Sequence, residues 1–294
     1  MISRSFFAMD TLITVAVSAD TADADSLVVK VIKAQNEIMR LEGLWSRFNP
    51  ESEISRINNA AGGGPVAVSP ETAELVQTCI EYSELSGGAF DVISPAGSHS
   101  PLHRNITVIT SPLDVDMATN KVTLSRGGIK IDLGGIGKGA AADKAADVLL
   151  REGIFGLLIN MGGNVLVRGC RNGCRDSSAG EKQNSPPWRI GIRDPWGGPR
   201  DTFGFIEIEE GSVSTSAFYE RKRHIRDPRK GRPAKNDLAS VSVVAPTAME
   251  ADALSTAAFV LGKDEGMAFI SGLPDTGGVF ITRSGKVECT GCAE

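Results

Sequence analysis

The spacing of apolar residues predicts three helices in the first third of the chain. Between residues 27 and 45, apolar side chains recur every three or four positions, which is the period of one buried helix face. Asp25 or Ser26 stands where the N-cap of this helix is expected. A short helix is predicted to start at Ser52, and a third helix is predicted over residues 70–86, ended by a pair of glycines.

Other segments have the pattern of strands. Residues 6–18 alternate between apolar and polar positions and predict one strand. Short β-rich runs between residues 106 and 133 predict antiparallel strands, and more strands are expected at WRIGIRD, FGFIEI and LASVSVVAP, before a final helix at EADALSTAAFVLG. Because strands and helices do not alternate steadily, the pattern favours an α+β fold, with mixed, mainly antiparallel sheets packed with helices, over a Rossmann fold.

A glycine-rich loop lies in the segment IDLGGIGKGAAADKAAD, between a predicted strand and a helix expected to begin near Ala140. Glycines let backbone amides approach a phosphate, and Lys138 adds a positive charge. The loop is not a Walker A motif, because Gly139 occupies the place of the Ser or Thr that follows the lysine there. The glycine spacing also excludes the dinucleotide fingerprint, and a purely structural tight turn is the alternative.

Composition narrows the class of protein. The chain has 294 residues, of which 41% are hydrophobic and 23% are charged, as in an ordinary folded protein. We expect one domain over residues 1–294, with a polar surface insertion at 170–187. A net charge of −5 argues against nucleic-acid binding. No signal peptide, lipobox or membrane anchor is visible, so the expected location is cytoplasmic.

The cysteines do not form the even, regular pattern of a secreted disulfide framework. There are five of them, and four form two loose pairs: Cys170 with Cys174, and Cys289 with Cys292. The two pairs could together hold zinc, because thiolates two or three residues apart can chelate one ion. Free surface thiols are the alternative.

Asp252 and Thr256 are candidates for metal binding. They are four residues apart in a predicted helix and therefore share one face. A carboxylate and a hydroxyl are the hard oxygen ligands that magnesium takes. An ordinary solvated helix face is the alternative.

Two further segments carry candidate chemistry. His224 lies among Arg and Lys residues, which would lower its pKa and favour the neutral form that can act as a base. The alternative is a solvated basic loop. In SGGAFDVISP, Phe90 and Asp91 form a ring-and-acid pair that could hold a flavin or an adenine, and a buried phenylalanine after a helix end is the alternative.

In their order along the chain, these motifs resemble the ApbE-like FAD:protein FMN transferase family. The matching segments are AMDT, LWSRFNPESEISRIN, GGAFDVISP, IDLGGIGKGAAADKAAD, INMGGN, VSTSAFYERKRHIRDPRKG and SVVAPTAMEADALSTAAFVLG. The resemblance implies a T-fold-like protein that binds FAD with Mg²⁺, cleaves the pyrophosphate, attaches FMN to a Thr or Ser of a target flavoprotein and releases AMP.

The resemblance also implies roles for individual residues. Metal ligands would be the side chains of Asp252 and Thr256 and the carbonyl of Ala141, and His224 would act as the base. Contacts to flavin or adenylate would come from Met9, Phe48, Ala89, Phe90, Asp91, Lys138, Lys144 and the backbone around Arg226. Two alternatives use the same scaffold: an FAD pyrophosphatase that yields FMN and AMP, and a non-catalytic flavin-binding protein.

Overall fold

The computed structural model describes residues 1–18, 23–95, 111–169, 171, 186–198, 201–218 and 225–291. The helices in this part of the chain are α1 (Ala24–Trp45), α2 (Glu53–Asn59), α3 (Pro70–Leu85), α4 (Gly137–Arg151), α5 (Ala248–Leu261) and α6 (Lys263–Ser271). The strands are β1 (Ile2–Ala8), β2 (Thr11–Ser18), β3 (Val66–Ala67), β4 (Ile93–Pro95), β5 (Leu113–Asp116), β6 (Lys121–Leu124), β7 (Ile129–Ile131), β8 (Gly156–Met161), β9 (Asn164–Arg168), β10 (Trp188–Arg193), β11 (Thr202–Ile208), β12 (Gly211–Ala217), β13 (Arg226–Asp227), β14 (Arg232–Pro233), β15 (Leu238–Ala245), β16 (Gly277–Thr282) and β17 (Val287–Thr290).

An eight-stranded sheet organises the described part of the chain. Its strand order is β1-β2-β8-β9-β12-β15-β16-β17, and every neighbouring pair in it is antiparallel. The mixture of helices with antiparallel sheets confirms the α+β prediction. In the described residues, no helix is both long and apolar enough to cross a membrane.

Alternate residues of the sheet pack on its two faces, as the strand period of two requires. On β8, Leu157 and Ile159 pack in the main core with the helices, whereas Leu158 packs with the β10–β11 hairpin. The hairpin contributes Trp188 and Ile190 to this second, smaller core. Helices α4 and α5 are in contact with each other and with the sheet, so residues from both helices meet above the middle strands.

The helix predictions agree with the structure except at some ends. The residues of α1 that are buried are those that the spacing predicted: Leu27, Val31, Ala34, Ile38, Leu41 and Trp45. Its N-cap is Asp23, not Asp25 or Ser26. Helix α4 begins at Gly137 and not near Ala140, because the Gly137 amide already donates a hydrogen bond to the Leu133 carbonyl four residues earlier, as in a helix.

Two predictions need correction, and two others fall outside the described residues. The single strand expected over 6–18 is a hairpin, because Met9 and Asp10 adopt φ of 51° and 60° and make a two-residue turn. The helix α5 is not the last element, since α6, β16 and β17 follow it. The predicted strand ITVIT and the predicted insertion at 170–187 lie wholly or almost wholly outside the described residues.

Candidate functional site

The glycine loop folds back over the beginning of α4. The carboxylate of Asp132 accepts a hydrogen bond from the Gly134 amide at 3.1 Å, and the Lys138 ammonium donates to the Gly134 carbonyl at 3.1 Å. Lys138 is therefore held at the N-terminus of α4, where backbone amides and the helix dipole favour an anion. The local sequence makes this possible, because the strand that ends at residue 131 is followed, after two residues, by Gly134 and Gly135.

The carboxylate of Asp252 faces the same helix N-terminus. Its Oδ2 atom accepts a hydrogen bond from the Gly139 amide at 3.1 Å and lies 3.8 Å from the Lys138 ammonium. Only 5% of Asp252 is exposed, so this contact is shielded from solvent. Glycine is required at 139, because a Cβ there would lie 2.2 Å from the carbonyl oxygen of Ala248.

A second carboxylate, that of Asp143, makes the reciprocal contact from α4 to α5. Its two oxygens accept hydrogen bonds from the first amides of α5, those of Ala248 and Met249, at 2.9 and 2.8 Å. Burial raises the pKa of Asp143 to about 6, against the lowering effect of these amides and of Arg168. Each helix thus supplies an acid that satisfies amides in the first turn of the other.

Thr256 and Phe90 meet at the glycine loop. A Cβ on Gly135 would lie 3.2 Å from the Thr256 hydroxyl oxygen and 3.4 Å from the Phe90 ring. Phe90 is 2% exposed and packs edge-on against Tyr82, with ring centroids 6.3 Å apart. Ala89 is fully buried, so the GGAFD segment forms a wall behind the glycine loop.

These residues fit a hard divalent cation. Asp252 offers a carboxylate and Thr256 a hydroxyl, and Ala141, which is buried in α4, offers a carbonyl. Oxygen donors of these kinds are the ligands of magnesium. The part of the chain that the structure describes contains no cluster of three or more His, Cys, Asp or Glu residues that could hold a metal ion.

The start of the glycine loop is linked to Phe48. The Phe48 side chain is 77% exposed, and the Arg47 guanidinium lies 4.6 Å from its ring centroid. Arg47 also pairs with the Asp132 carboxylate at 3.1 Å, just before the loop. Met9 lies in the β1–β2 turn, where its amide donates to Glu42 at 2.7 Å. An exposed ring tethered beside an anion-binding helix terminus is suited to stacking on an aromatic ligand.

Asp91 is the last residue of the GGAFD segment. Its carboxylate accepts a hydrogen bond from the Ile93 amide at 2.8 Å, and burial raises its pKa to about 6. It borders a small cavity of about 40 Å³ together with the buried thiol of Cys79. Neither Lys138 nor Asp252 lines this cavity.

The remaining predicted residues are distributed around this centre. The Lys144 ammonium lies 4.0 Å from the Glu74 carboxylate of α3. Arg226 is exposed and donates to the Gly231 carbonyl, in a turn whose Arg229 side chain packs on Gly88. This turn therefore borders the GGAFD wall.

Two predictions cannot be placed in the structure. His224, the predicted base, lies outside the described residues. The same is true of Cys170, Cys174 and Cys292, the predicted zinc partners of the exposed Cys289. Both the base and the zinc site stay predictions.

A buried network of polar side chains was not predicted. It runs from the first residue of β9 to the Thr256 hydroxyl, through residues of β12 and α5: Asn164, Ser214, Ser255, Ser216 and Thr256. Alternate serines in the run GSVSTSA were the available signal, because residues 214 and 216 of a strand share one face. Asp143 was also missed, since its role depends on amides more than a hundred positions away.

Comparison with known proteins finds, over nearly the whole chain, the same family that the sequence motifs resemble. The model of the ApbE family matches residues 9–280. The chain is 30% identical to an FAD:protein FMN transferase of Treponema pallidum over 281 residues, which cover 86% of this chain and 77% of that protein. It is 33% identical to an FAD:protein FMN transferase of Klebsiella pneumoniae, with 84% and 80% covered.

Solved structures share the fold. The ApbE protein of Thermotoga maritima superposes with a TM-score of 0.80 at 26% identity, covering 99% of this chain and 97% of that one. The flavin transferase ApbE of Vibrio cholerae gives a TM-score of 0.76 at 26% identity, with the same coverage of both chains.

Proposed function

The chain belongs to the ApbE family and is a flavin transferase, and from this premise we propose its full reaction. In the proposal, FAD is cleaved in a Mg²⁺-dependent reaction, FMN is transferred to a Thr or Ser hydroxyl of a target flavoprotein, and AMP is released. The hydroxyl oxygen forms a bond to the FMN phosphorus, and the bond from that phosphorus to the AMP oxygen breaks. The hydroxyl proton passes to a base, for which we propose His224.

The observation that carries the proposal is the meeting of three groups at the N-terminus of α4. Lys138, Asp252 and the backbone amides of the glycine loop lie together, with Lys138 and Asp252 only 3.8 Å apart. The lysine and the amides would attract a phosphate. The Asp252 carboxylate would repel it unless a cation lay between the carboxylate and the phosphate. The arrangement therefore favours a diphosphate bound together with a divalent ion.

The bound ion would be held by Asp252, Thr256 and the Ala141 carbonyl, and it would neutralise charge on the phosphate oxygens. The chain's own residues would do the remaining work. Lys138 would bind a phosphate oxygen, Phe48 would stack on an aromatic ring, and the backbone of Ala89, Phe90 and Asp91 would line the same pocket.

Outer contacts of the bound dinucleotide are proposed for Met9, Lys144 and the backbone around Arg226.

We also propose that residues 1–294 act as a single domain. One contiguous hydrophobic core, which includes side chains from both Ala8 and Phe280, supports that assignment.

The test measures both products of the proposed reaction, AMP and the FMN-modified acceptor. The purified chain is incubated with FAD and Mg²⁺, with and without a Thr-bearing acceptor peptide, and AMP release and peptide mass are measured. The proposal expects an FMN adduct on the peptide that disappears when Asp252 is replaced by Ala or when Mg²⁺ is chelated. Asp264→Ala is the control, because this acid is 90% exposed on α6.

Other outcomes assign other functions. AMP release at the same rate without an acceptor, and no adduct with one, would establish a pyrophosphatase. Tight FAD binding without turnover would establish a flavin-binding protein. An Asp252→Ala variant with full transfer activity would refute the proposed site.

A further inference from the structure

The buried polar network has the geometry of a directed hydrogen-bond chain that ends at Thr256. Asn164 is 2% exposed, Ser214 is 1% exposed and Ser255 is fully buried. The hydroxyl of Ser255 lies 3.2 Å from that of Ser214 and 3.0 Å from that of Ser216, and Ser216 lies 3.5 Å from the Thr256 hydroxyl. Because Ser255 is fully buried, water does not compete for its hydrogen bonds.

Each hydroxyl has only one proton, so the number of acceptors fixes the direction of the chain. The Ser255 hydroxyl lies 3.0 Å from the main-chain carbonyl of Asp252, which can only accept. If Ser255 donates to that carbonyl, it must accept from Ser216. Ser216 has then spent its proton and must accept from Thr256.

The side-chain amide of Asn164 can act as a donor at the start of the network. With its oxygen toward Ser214, its Nδ2 atom is a buried donor that has no hydrogen-bond partner among the described residues. A buried donor that is left unpaired destabilises the fold. With the amide turned, Nδ2 donates to Ser214 and Ser214 donates to Ser255, so the buried nitrogen has a partner and both branches of the network donate toward Ser255.

The Thr256 hydroxyl is therefore oriented. Its proton points toward Ser216 in the sheet, and its lone pairs point to the opposite side. The glycine loop is next to this oxygen, because a Cβ on Gly135 would lie only 3.2 Å from it. A hydroxyl that donates away from a cation and presents lone pairs to it is ready to act as a ligand.

We propose that Ser216 and Ser255 are positioning residues that orient the Thr256 hydroxyl toward a bound divalent cation. This inference rests on the cation site of the proposed function. Neither serine touches the cation in the proposal. They act through Thr256, and Ser255 also acts through the main chain at Asp252.

The chain offers a matched control on the same strands. The hydroxyls of Thr215 and Ser242 pair at 2.8 Å, and Ser242 is 1% exposed. Thr215 lies between Ser214 and Ser216 on β12, so its side chain points to the other face of the sheet. Ser242→Ala therefore removes an equally buried hydroxyl without touching the network.

The experiment measures cation binding directly. Mn²⁺ is titrated into the full-length chain with ADP present as an unreactive diphosphate, and unbound Mn²⁺ is followed by electron paramagnetic resonance. We expect Ser216→Ala and Ser255→Ala each to weaken Mn²⁺ binding about tenfold, as loss of a contact that orients a ligand does. Ser242→Ala should bind within about twofold of the parent while losing similar thermal stability.

A double substitution separates the two proposals. In a Thr256→Val background, Ser216→Ala should weaken binding less than twofold further, because Ser216 acts only through the threonine that is already gone. If Asp252→Ala and Thr256→Val leave Mn²⁺ binding unchanged, the cation site itself is refuted. If those two variants weaken binding but Ser216→Ala and Ser255→Ala behave like Ser242→Ala, the cation site stands and the positioning role is overturned.

Discussion

Replacing Gly139 by Ala tests the close approach of α4 and α5 on which the candidate site depends. The new Cβ would lie 2.2 Å from the Ala248 carbonyl oxygen and 2.7 Å from the Met249 Cα, both of which are backbone atoms. An ordinary contact is about 3.4 Å, so the helices must separate by roughly 1 Å. That separation also breaks the bond from the Gly139 amide to Asp252.

The two costs add to a large effect. Overpacking costs about 1–3 kcal/mol, and the lost hydrogen bond to a charged carboxylate costs about 1.5–3 kcal/mol. We expect Gly139→Ala to lower the free energy of unfolding by about 3–5 kcal/mol. For a chain of this size, that corresponds to a fall in Tm of roughly 10 °C, measured by calorimetry.

Gly137→Ala is the matched control, because it lies in the same helical turn. Its Cβ would meet the Leu133 Cβ at 3.4 Å, an ordinary contact. The gain in helix propensity, at most about 1 kcal/mol, should leave its Tm unchanged or slightly raised. A Gly139→Ala variant that unfolds at or above the temperature of Gly137→Ala would refute the helix packing described here.

Three further predictions concern charge and ligand contacts. Because burial raises the pKa of Asp143 to about 6, its ionisation is less favourable in the folded chain than in the unfolded one, and the free energy of unfolding should fall as pH rises from about 4 to 6. Relative to Asp143→Asn, which does not titrate, the fall should reach up to about 3 kcal/mol in denaturant titrations. If the difference in unfolding free energy between the two proteins does not change with pH, the raised pKa of Asp143 is contradicted. Lys138→Gln should raise the KM for FAD about tenfold in assays of AMP release, whereas Lys33→Gln, which breaks a surface pair with Glu152, should not change it. Phe48→Ala should change the free energy of unfolding by less than about 0.5 kcal/mol, since the ring is 77% exposed, yet weaken FAD binding about fivefold in fluorescence titrations; equal FAD affinity would exclude stacking on this ring.

The elements that were predicted well are those specified by neighbouring residues. The buried face of α1 follows from apolar side chains three and four apart. The cap of α2 by Ser52 follows from a hydroxyl that accepts a bond from the Ser55 amide three residues later. Asp252 and Thr256 share a helix face for the same local reason.

The errors arose where distant contacts or unusual backbone angles decide the structure. The turn at Met9 and Asp10 interrupts an alternating run without a glycine to mark it. Strand β16 is buried on both faces, so it shows no alternation between apolar and polar positions.

The sequence by itself determined the helices, most of the strands, the glycine loop before α4 and, through the order of its motifs, the family. Only the tertiary structure decided that Asp143 and Asp252 each bind the first turn of the other's helix, and that Ser216 of β12 contacts the hydroxyls of Ser255 and Thr256 of α5. The physical reason is that periodicity and capping act within a few residues of the chain. A hydrogen bond between residues more than a hundred positions apart exists only after the helices have packed on the sheet.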